Sequence, residues 1–325
     1  MSMDQVPGQE KAKSMLRYAL LSKKVSHAYL FSGPRGTGRK ALALAFAQAL
    51  FCTSGGDDAC GECIECRKFE HGNQPDLHVL EPDGASIKLG QIQQLQREMS
   101  YRNAGVQRKV YIVEQAETMT LQAANSLLKF LEEPQSDIVA LLLTENGQAM
   151  LPTIRSRVQT IPFVPLSPKE LQAALEGEGI ASMQARTASR IASGVDACRA
   201  LIQQNGFAET RNVVIQLGKE SLSRFTAAIV TVQQQVVKSD VGQDPQLLLT
   251  MLLLWYKDMI HYQAGRLEDI VFIDQSEWIG KHAFARTPDG WVNCMEHVLE
   301  CSKRIRAHVS TQLALEQLLV NLQEG

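Results

Sequence analysis

The sequence has almost no net charge. In 325 residues, 33 Lys and Arg stand against 35 Asp and Glu, a formal balance of −2. A chain so balanced does not coat nucleic acid by bulk charge, so any DNA contact has to come from a local patch. Long hydrophobic runs are also missing. The longest apolar stretch, Leu247–Tyr256 (LLLTMLLLWY), is about half of the ~20 residues that a membrane span needs. The N-terminal segment MSMDQVPGQE lacks a basic region followed by an apolar one, so nothing predicts export, and a cytosolic protein with no membrane partner is expected. There is no internal repeat and no low-complexity tail. What remains, 45% apolar and 21% charged, is ordinary for a globular protein. The length suggests two or three domains, at roughly 100–200 residues each.

Cysteine is the irregular component. Of seven cysteines, Cys198, Cys294 and Cys301 are scattered in apolar or helical surroundings and read as small core residues or inert thiols. The other four form a C-x7-C-x2-C-x2-C pattern: Cys52, Cys60, Cys63 and Cys66. An odd total and a reducing compartment both argue against a disulfide framework. Four thiolates can close a tetrahedral shell around Zn²⁺, and C-x2-C pairs reach one ion without strain. A structural zinc site is expected, the alternative being a reduced cluster without metal. Four sulfurs leave no open position, which disfavours catalytic zinc.

Apolar positions at helical spacing predict an amphipathic helix over 9–23. Ala28–Ser32 (AYLFS) reads as a strand, Gly33–Gly38 as a glycine-bearing turn, and KALALAFAQALF as a buried helix. Helical stretches at 91–100 and LQAANSLLKFLEE precede two more strand-like runs, Lys109–Val113 (KVYIV) and Ile138–Thr144 (IVALLLT). This alternation predicts an α/β domain with a parallel sheet. After about residue 165 strand signals nearly vanish. Pro162, Pro165 and Pro168 punctuate the chain, Ser167–Pro168 opens a helix, and 169–205 and then 208–325 read as helical, with loops near 239–245 and 286–290.

Strand, glycine turn and helix is the context of a phosphate loop, G-x-x-x-x-G-K-[ST], whose lysine reaches the β/γ oxygens and whose hydroxyl binds Mg²⁺. In GPRGTGRKA, Gly33, Gly36 and Gly38 are in place, but Arg39 stands at the lysine position and Lys40 at the hydroxyl position. A planar guanidinium does not replace an ammonium in a fitted cradle. Lys40 substitutes only by slipping one residue, and Ala41 then offers no metal ligand. In active relatives of this loop, the KVYIV strand leads to an Asp supporting Mg²⁺ and a Glu positioning water. Glu114 and Gln115 occupy those places here, and neutral Gln115 is a poor proton acceptor. The loop shape is kept while its chemistry is altered.

The segments SHAYLFSGPRGTG, KVYIVEQAETMT, AANSLLKFLEEP and LPTIRSRVQ, in order and spacing, resemble the bacterial clamp-loader subunits of DNA polymerase III holoenzyme, within the AAA+ superfamily. The resemblance is strong over residues 5–205 and weaker beyond, through WYKDMI and LALEQLLVNL. Its motor branch, gamma/tau, has an intact loop and an Asp-Glu pair. The altered motifs and the chain length are instead similar to the delta-prime branch.

The resemblance implies three domains: an AAA+ α/β domain over 1–165 with a zinc module inserted at about 50–72, a helical lid over 166–207, and an all-α collar over 208–325. It further implies that Ser156 and Arg157, in IRSRV with Val158 replacing the family's cysteine, match the element whose arginine reaches a neighbour's ATP site. Arg157 is then an arginine finger in trans, with adjacent Arg155 the alternative donor. Thr144 stands where the family's first sensor meets the γ-phosphate; Arg199 lies near a second sensor position, but that role is not carried over. In LLKFLEEP, Leu127, Leu128 and Leu131 read as core, and Lys129, Glu132 and Glu133 as a solvated face ending before Pro134. The seven histidines have no ligand spacing.

Implied partners are gamma/tau-type ATPase subunits and the delta subunit, with the sliding clamp and primed DNA reached through the complex, DNA by phosphate contacts. The implied place is the bacterial cytoplasm, at the nucleoid through the replisome. The chain by itself is expected not to hydrolyse ATP. ATP or ADP and Mg²⁺ in its own loop stay open, and their use falls to neighbouring subunits. Two rivals remain: an ATP-hydrolysing gamma/tau-type motor in which Arg39 or Lys40 rescues nucleotide binding, and a zinc-stabilised scaffold with no part in ATP chemistry.

Overall fold

The computed structural model describes residues 2–100, 108–132 and 138–324. Glu133 and Pro134 of the LLKFLEEP segment lie outside the described residues. The chain divides into two compact units, Met1–Glu170 and Leu171–Gly325.

In the first unit, α1 (Glu10–Leu21) precedes β1 (Ala28–Ser32) and α2 (Arg39–Phe51). Then come α3 (Ile64–Glu70), β2 (Leu77–Leu80), α4 (Leu89–Ser100), β3 (Lys109–Val113) and α5 (Leu121–Glu132). Strand β4 (Ile138–Thr144), the single turn α6 (Pro152–Arg155) and β5 (Gln159–Pro162) complete it. The strands form one sheet in the order β2-β3-β4-β1-β5, every pair parallel. Strands β1, β3 and β4 are apolar almost throughout because helices cover both faces. On one face Tyr29, Phe31, Val110, Ile112, Leu141 and Leu143 pack with Leu16 of α1 and Leu42 and Phe46 of α2. Their alternate residues, among them Leu30, Tyr111, Val113 and Leu142, meet Ile92 of α4 and Leu127 and Leu131 of α5.

The expected strands at 28–32, 109–113 and 138–144 are present, but the last two are third and fourth in chain order. Strands β2 and β5 carry no clear signal, for a physical reason. They are the sheet's edges, and LHVL is half exposed while QTIP buries only Ile161. Pro162 is tolerated because an edge strand has one side without a partner.

The second unit has no strand among the described residues. The cut between units falls inside α7 (Pro168–Gly177), followed by α8 (Ser182–Ile191), α9 (Val195–Gln203), α10 (Phe207–Ser223) and α11 (Phe225–Thr231). Helices α12 (Pro245–Gln263), α13 (Ser276–His282), α14 (Pro288–Arg306) and α15 (Thr311–Glu324) follow. The expected loop at 286–290 is shorter than expected: Pro288 is the first residue of α14, and the Thr287 hydroxyl accepts the Gly290 N–H at 3.1 Å. That is an N-cap followed by proline, a start signal. Near 239–245, Asp240–Gln243 winds into a short 3-10 turn, and Asp244 caps α12 by accepting from Leu247 N at 3.0 Å.

The apolar α12 buries Trp255 and Tyr256, and Trp255 packs edge-on to Phe272. Its Asp258 is fully buried, and its carboxylate accepts the backbone N–H groups of Val271 and Phe272 at 2.8–2.9 Å. Cys198, Cys294 and Cys301 are buried and unpaired, as expected. Gly218 of α10 lies against the Trp255 indole, where a Cβ would stand 2.3 Å from Nε1 and 2.6 Å from Cδ1. A rigid buried ring has little room to give. The G218A change is expected to cost roughly 1–3 kcal/mol, read as a lower denaturation midpoint; an unchanged midpoint would show that the helices slide apart freely. No helix among the described residues is long and apolar enough to cross a membrane.

Candidate functional site

The parallel registers gather the site. Ser32 pairs with Thr144 and Leu80 with Val113, so the turns after β1, β2, β3 and β4 meet along the carboxyl edge of the sheet, where α/β proteins place their ligands. Gly33 donates its N–H to the Thr144 carbonyl at 3.2 Å, and a Cβ on Gly33 would lie 2.4 Å from the Phe163 carbonyl oxygen. Only glycine allows that approach. Gly36 and Gly38 have φ of 76° and 78°, left-handed backbone that costs glycine little. Thr37 is buried, and its hydroxyl donates to the Pro34 carbonyl at 2.8 Å. The turn is therefore a formed phosphate-loop cradle leading into α2.

Its charged groups face their own sheet. Arg39, the first residue of α2, has its guanidinium 3.9 Å from Glu145, the carboxylate that Arg35 pairs with at 2.9 Å. Burial pulls the Arg39 pKa down, and Glu145 works against that shift. Lys40 Nζ lies 2.5 Å from Glu114 and 3.0 Å from Glu81. The close ion pair with Glu114 leads in raising the Lys40 pKa, and Lys40 in turn lowers that of Glu81. Gln115, at φ 47°, is exposed, and its carbonyl accepts the Thr118 N–H and hydroxyl, each at 2.8 Å. The Thr144 hydroxyl is buried and accepts the Asn146 N–H at 3.2 Å. Gly33, Gly36, Gly38, Arg39, Lys40, Glu114, Gln115 and Thr144 thus belong to one region. Glu81 and Glu145, which sequence reasoning missed, complete it. Glu81 follows a strand with no signal, and Glu145 simply follows Thr144.

Arg157 lies just past α6 and is partnered elsewhere. Its guanidinium pairs with Glu132 at the end of α5 at 2.7 Å and donates to the Thr153 carbonyl at 2.9 Å and the Ser156 hydroxyl at 3.2 Å. Arg155 instead donates to the Gln148 side chain at 2.7 Å. Val158 packs against the apolar layer beneath α5. Lys129 and Glu132 are exposed, as the solvated-face reading has them.

Between α2 and α3 the four sulfurs of Cys52, Cys60, Cys63 and Cys66 lie within 4.8 Å of one another. The Cys60–Cys66 separation is 3.9 Å, close to the ~3.8 Å edge of a tetrahedron with Zn–S bonds near 2.3 Å. Backbone N–H groups of Cys60, Cys63 and Cys66 donate to the sulfurs of Cys52, Cys60 and Cys63, each at 3.4 Å. Such bonds stabilise thiolate over thiol. Burial raises Cys63, but hydrogen bonds from Thr53 and Cys66 outweigh it and bring the thiol down to about 6. The donor set fits a metal ion. The loop is also tied down: Asp58 accepts from the Ser2 hydroxyl at 2.5 Å and from Met3 N at 2.9 Å.

A five-stranded parallel sheet with a glycine cradle after its first strand is a phosphate-loop α/β unit, joined here to a helical unit. Family models described as "DNA polymerase III, delta subunit" and "DNA polymerase III, delta subunit, C terminal" match residues 8–167 and 210–324. DNA polymerase III subunit delta' of Bacillus subtilis is 39% identical over 98% of this chain and 97% of its own length. The Pseudomonas aeruginosa subunit delta' is 31% identical over 91% of each chain. Subunit tau of B. subtilis is 39% identical over 49% of this chain and 28% of its own length. The chain belongs to the delta-prime family of DNA polymerase III subunits, related to gamma/tau.

Proposed function

We propose that this chain acts as the delta-prime subunit of a replicative clamp loader, assembling with gamma/tau-type ATPases and a delta subunit in the cytoplasm to place a sliding clamp on primed DNA. In this reading residues 1–165 form the AAA+ domain, 166–207 the lid, and 208–325 the collar that packs against sister subunits. The nucleotide site is degenerate and the chain by itself hydrolyses no ATP. Arg157 is the arginine finger, offered to the ATP bound by an adjacent subunit. A structural Zn²⁺ held by Cys52, Cys60, Cys63 and Cys66 organises the insertion. DNA is met through phosphates, without base readout.

One contrast carries the proposal. The loop's cations are engaged with carboxylates of their own sheet, Lys40 with Glu81 and Glu114 and Arg35 with Glu145. Arg157 is also paired, with Glu132, but it stands at the turn after α6, outside the loop, where a surface ion pair gives way to an incoming phosphate at little cost. A guanidinium against a γ-phosphate offsets charge that develops in transfer. The test is ATP turnover by the complex reassembled with R157A. Turnover and clamp loading both unchanged, with assembly intact, would overturn the finger role. Stimulated turnover by the isolated wild-type chain would overturn the degenerate site.

A further inference from the structure

We propose that Lys40 is a tethered stand-in for the divalent cation of a phosphate-loop site, its single ammonium charge set between the two carboxylates, Glu81 and Glu114, that would otherwise hold a metal. This deepens the assignment of a degenerate nucleotide site, on which it rests, by naming what replaced the metal.

The position of Lys40 is the first argument. In a working loop this residue is Ser or Thr, and its hydroxyl ligates Mg²⁺ together with the acid that ends the metal-supporting strand, here β3, one strand removed from β1. Here that acid is Glu114, and the Lys40 ammonium lies 2.5 Å from it. A ligand of the metal has been replaced by a cation, and the acid across from it is met without any metal.

The second carboxylate follows from the sheet. Leu80 and Val113 are register partners, so Glu81 and Glu114, one residue further on each strand, emerge side by side. Lys40 Nζ reaches Glu81 at 3.0 Å as well. One ammonium between two carboxylates is the charge arrangement of a cation site, with nitrogen in place of the ion. The Glu114 side chain is only 17% exposed, and a carboxylate that far from water needs a cationic or hydrogen-bonding partner. Lys40 provides it permanently.

A tethered group competes at an effective concentration in the millimolar range for a short flexible link. Free Mg²⁺ therefore faces a competitor that never leaves. The ammonium also lacks the open positions through which a metal bridges phosphate oxygens, so the substitution offsets one of the two carboxylate charges and discards the site's catalytic use.

The experiment uses the full-length chain, wild type and variants, and free Mn²⁺ as the probe, read by its paramagnetic resonance signal. The wild type is expected to leave Mn²⁺ free. K40T, which frees both carboxylates and restores a hydroxyl, is expected to take up about one equivalent at least ~10-fold more tightly, because hard oxygen ligands become available. K40M frees the carboxylates without the hydroxyl and is expected to fall between the two, and K40T/E114Q to return to wild type. Circular dichroism establishes which variants are folded, with K40M serving if K40T is not. Equal Mn²⁺ uptake by wild type and a folded lysine variant overturns the proposal, as does wild-type uptake that E114Q abolishes. ATP turnover by the isolated wild-type chain would sink the degenerate-site assignment itself. Failure of the lysine variants to gain Mn²⁺ in an inert chain sinks only the role of Lys40.

Discussion

In a clamp-loader complex reassembled with the R157A chain, ATP at the facing site is expected to turn over about 10³–10⁵-fold more slowly, the range over which an arginine supplied in trans acts in other phosphoryl transfers. The side chain is suited to the work. It is 36% exposed, projects from the turn after α6, and is oriented by the Thr153 carbonyl and the Ser156 hydroxyl. Its ion pair with Glu132 is a surface pair, worth ~0–1 kcal/mol, so a γ-phosphate can take the guanidinium at little cost. Other ATP sites in the complex keep working, and single-turnover measurement at saturating ATP is needed to isolate the affected one. R157K should restore charge without the planar fork and recover only a small part of the rate. R155A should leave the rate alone, since that guanidinium is held by Gln148. If R155A is slow and R157A normal, the two arginines exchange roles.

Removal of the metal is expected to have the second large effect. Unoxidised protein should carry about one equivalent of Zn²⁺, the closed four-sulfur shell of a structural site, and C66S should carry none. Structural zinc supplies apparent binding free energies of ~10–16 kcal/mol in small zinc-folded peptides at pH 7, so the segment between α2 and α3 should melt without it. The loss should spread to a distant point in the sequence. Asp58, within that segment, accepts from Ser2 and Met3, and both Met3 and Val6 are buried in the core beside α2. Amide exchange at residues 3–6 should therefore quicken on chelation. Acidification should act in the same direction, since protons compete with the metal for each thiolate. Metal analysis finding no zinc would sink the site, and unchanged exchange at residues 3–6 would break its link to the N-terminus.

Legibility in the sequence followed the range of the interactions. AYLFS, KVYIV and IVALLLT are buried on both faces, so composition marks them as strands without outside help. LHVL and QTIP are edge strands, defined mostly by the partner they pair with, and a single segment holds little of that information. The cysteine cluster was readable because its four thiols fall within one short stretch and their spacing alone suits a single ion. The loop's altered residues were also readable, as departures from a motif. Their partners were not: Lys40 meets Glu81 and Glu114 only through the strand register, and Arg157 meets Glu132 only because α5 ends beside α6. In the helical half, the apolar run in α12 signalled burial, while nothing in the sequence marks the carboxylate of Asp258, two residues past that run, as buried, because its backbone donors come from residues 271 and 272.

The strand order β2-β3-β4-β1-β5 bears on how the chain is made as well as on what it binds. Strand β1 leaves the ribosome first, yet both its neighbours, β4 and β5, are among the last parts of the sheet to be translated. At ~5–20 residues per second, roughly a hundred residues separate β1 from β4, a delay of about 5–20 s. For that interval Tyr29, Leu30 and Phe31 have no sheet partner; α1 and α2, made early, can cover Tyr29 and Phe31, while Ile92 of α4 and Leu127 and Leu131 of α5, which meet Leu30, follow only later. A nascent chain arrested before residue 138 should therefore bind holdase chaperones through this segment. One arrested well beyond β5 should release them.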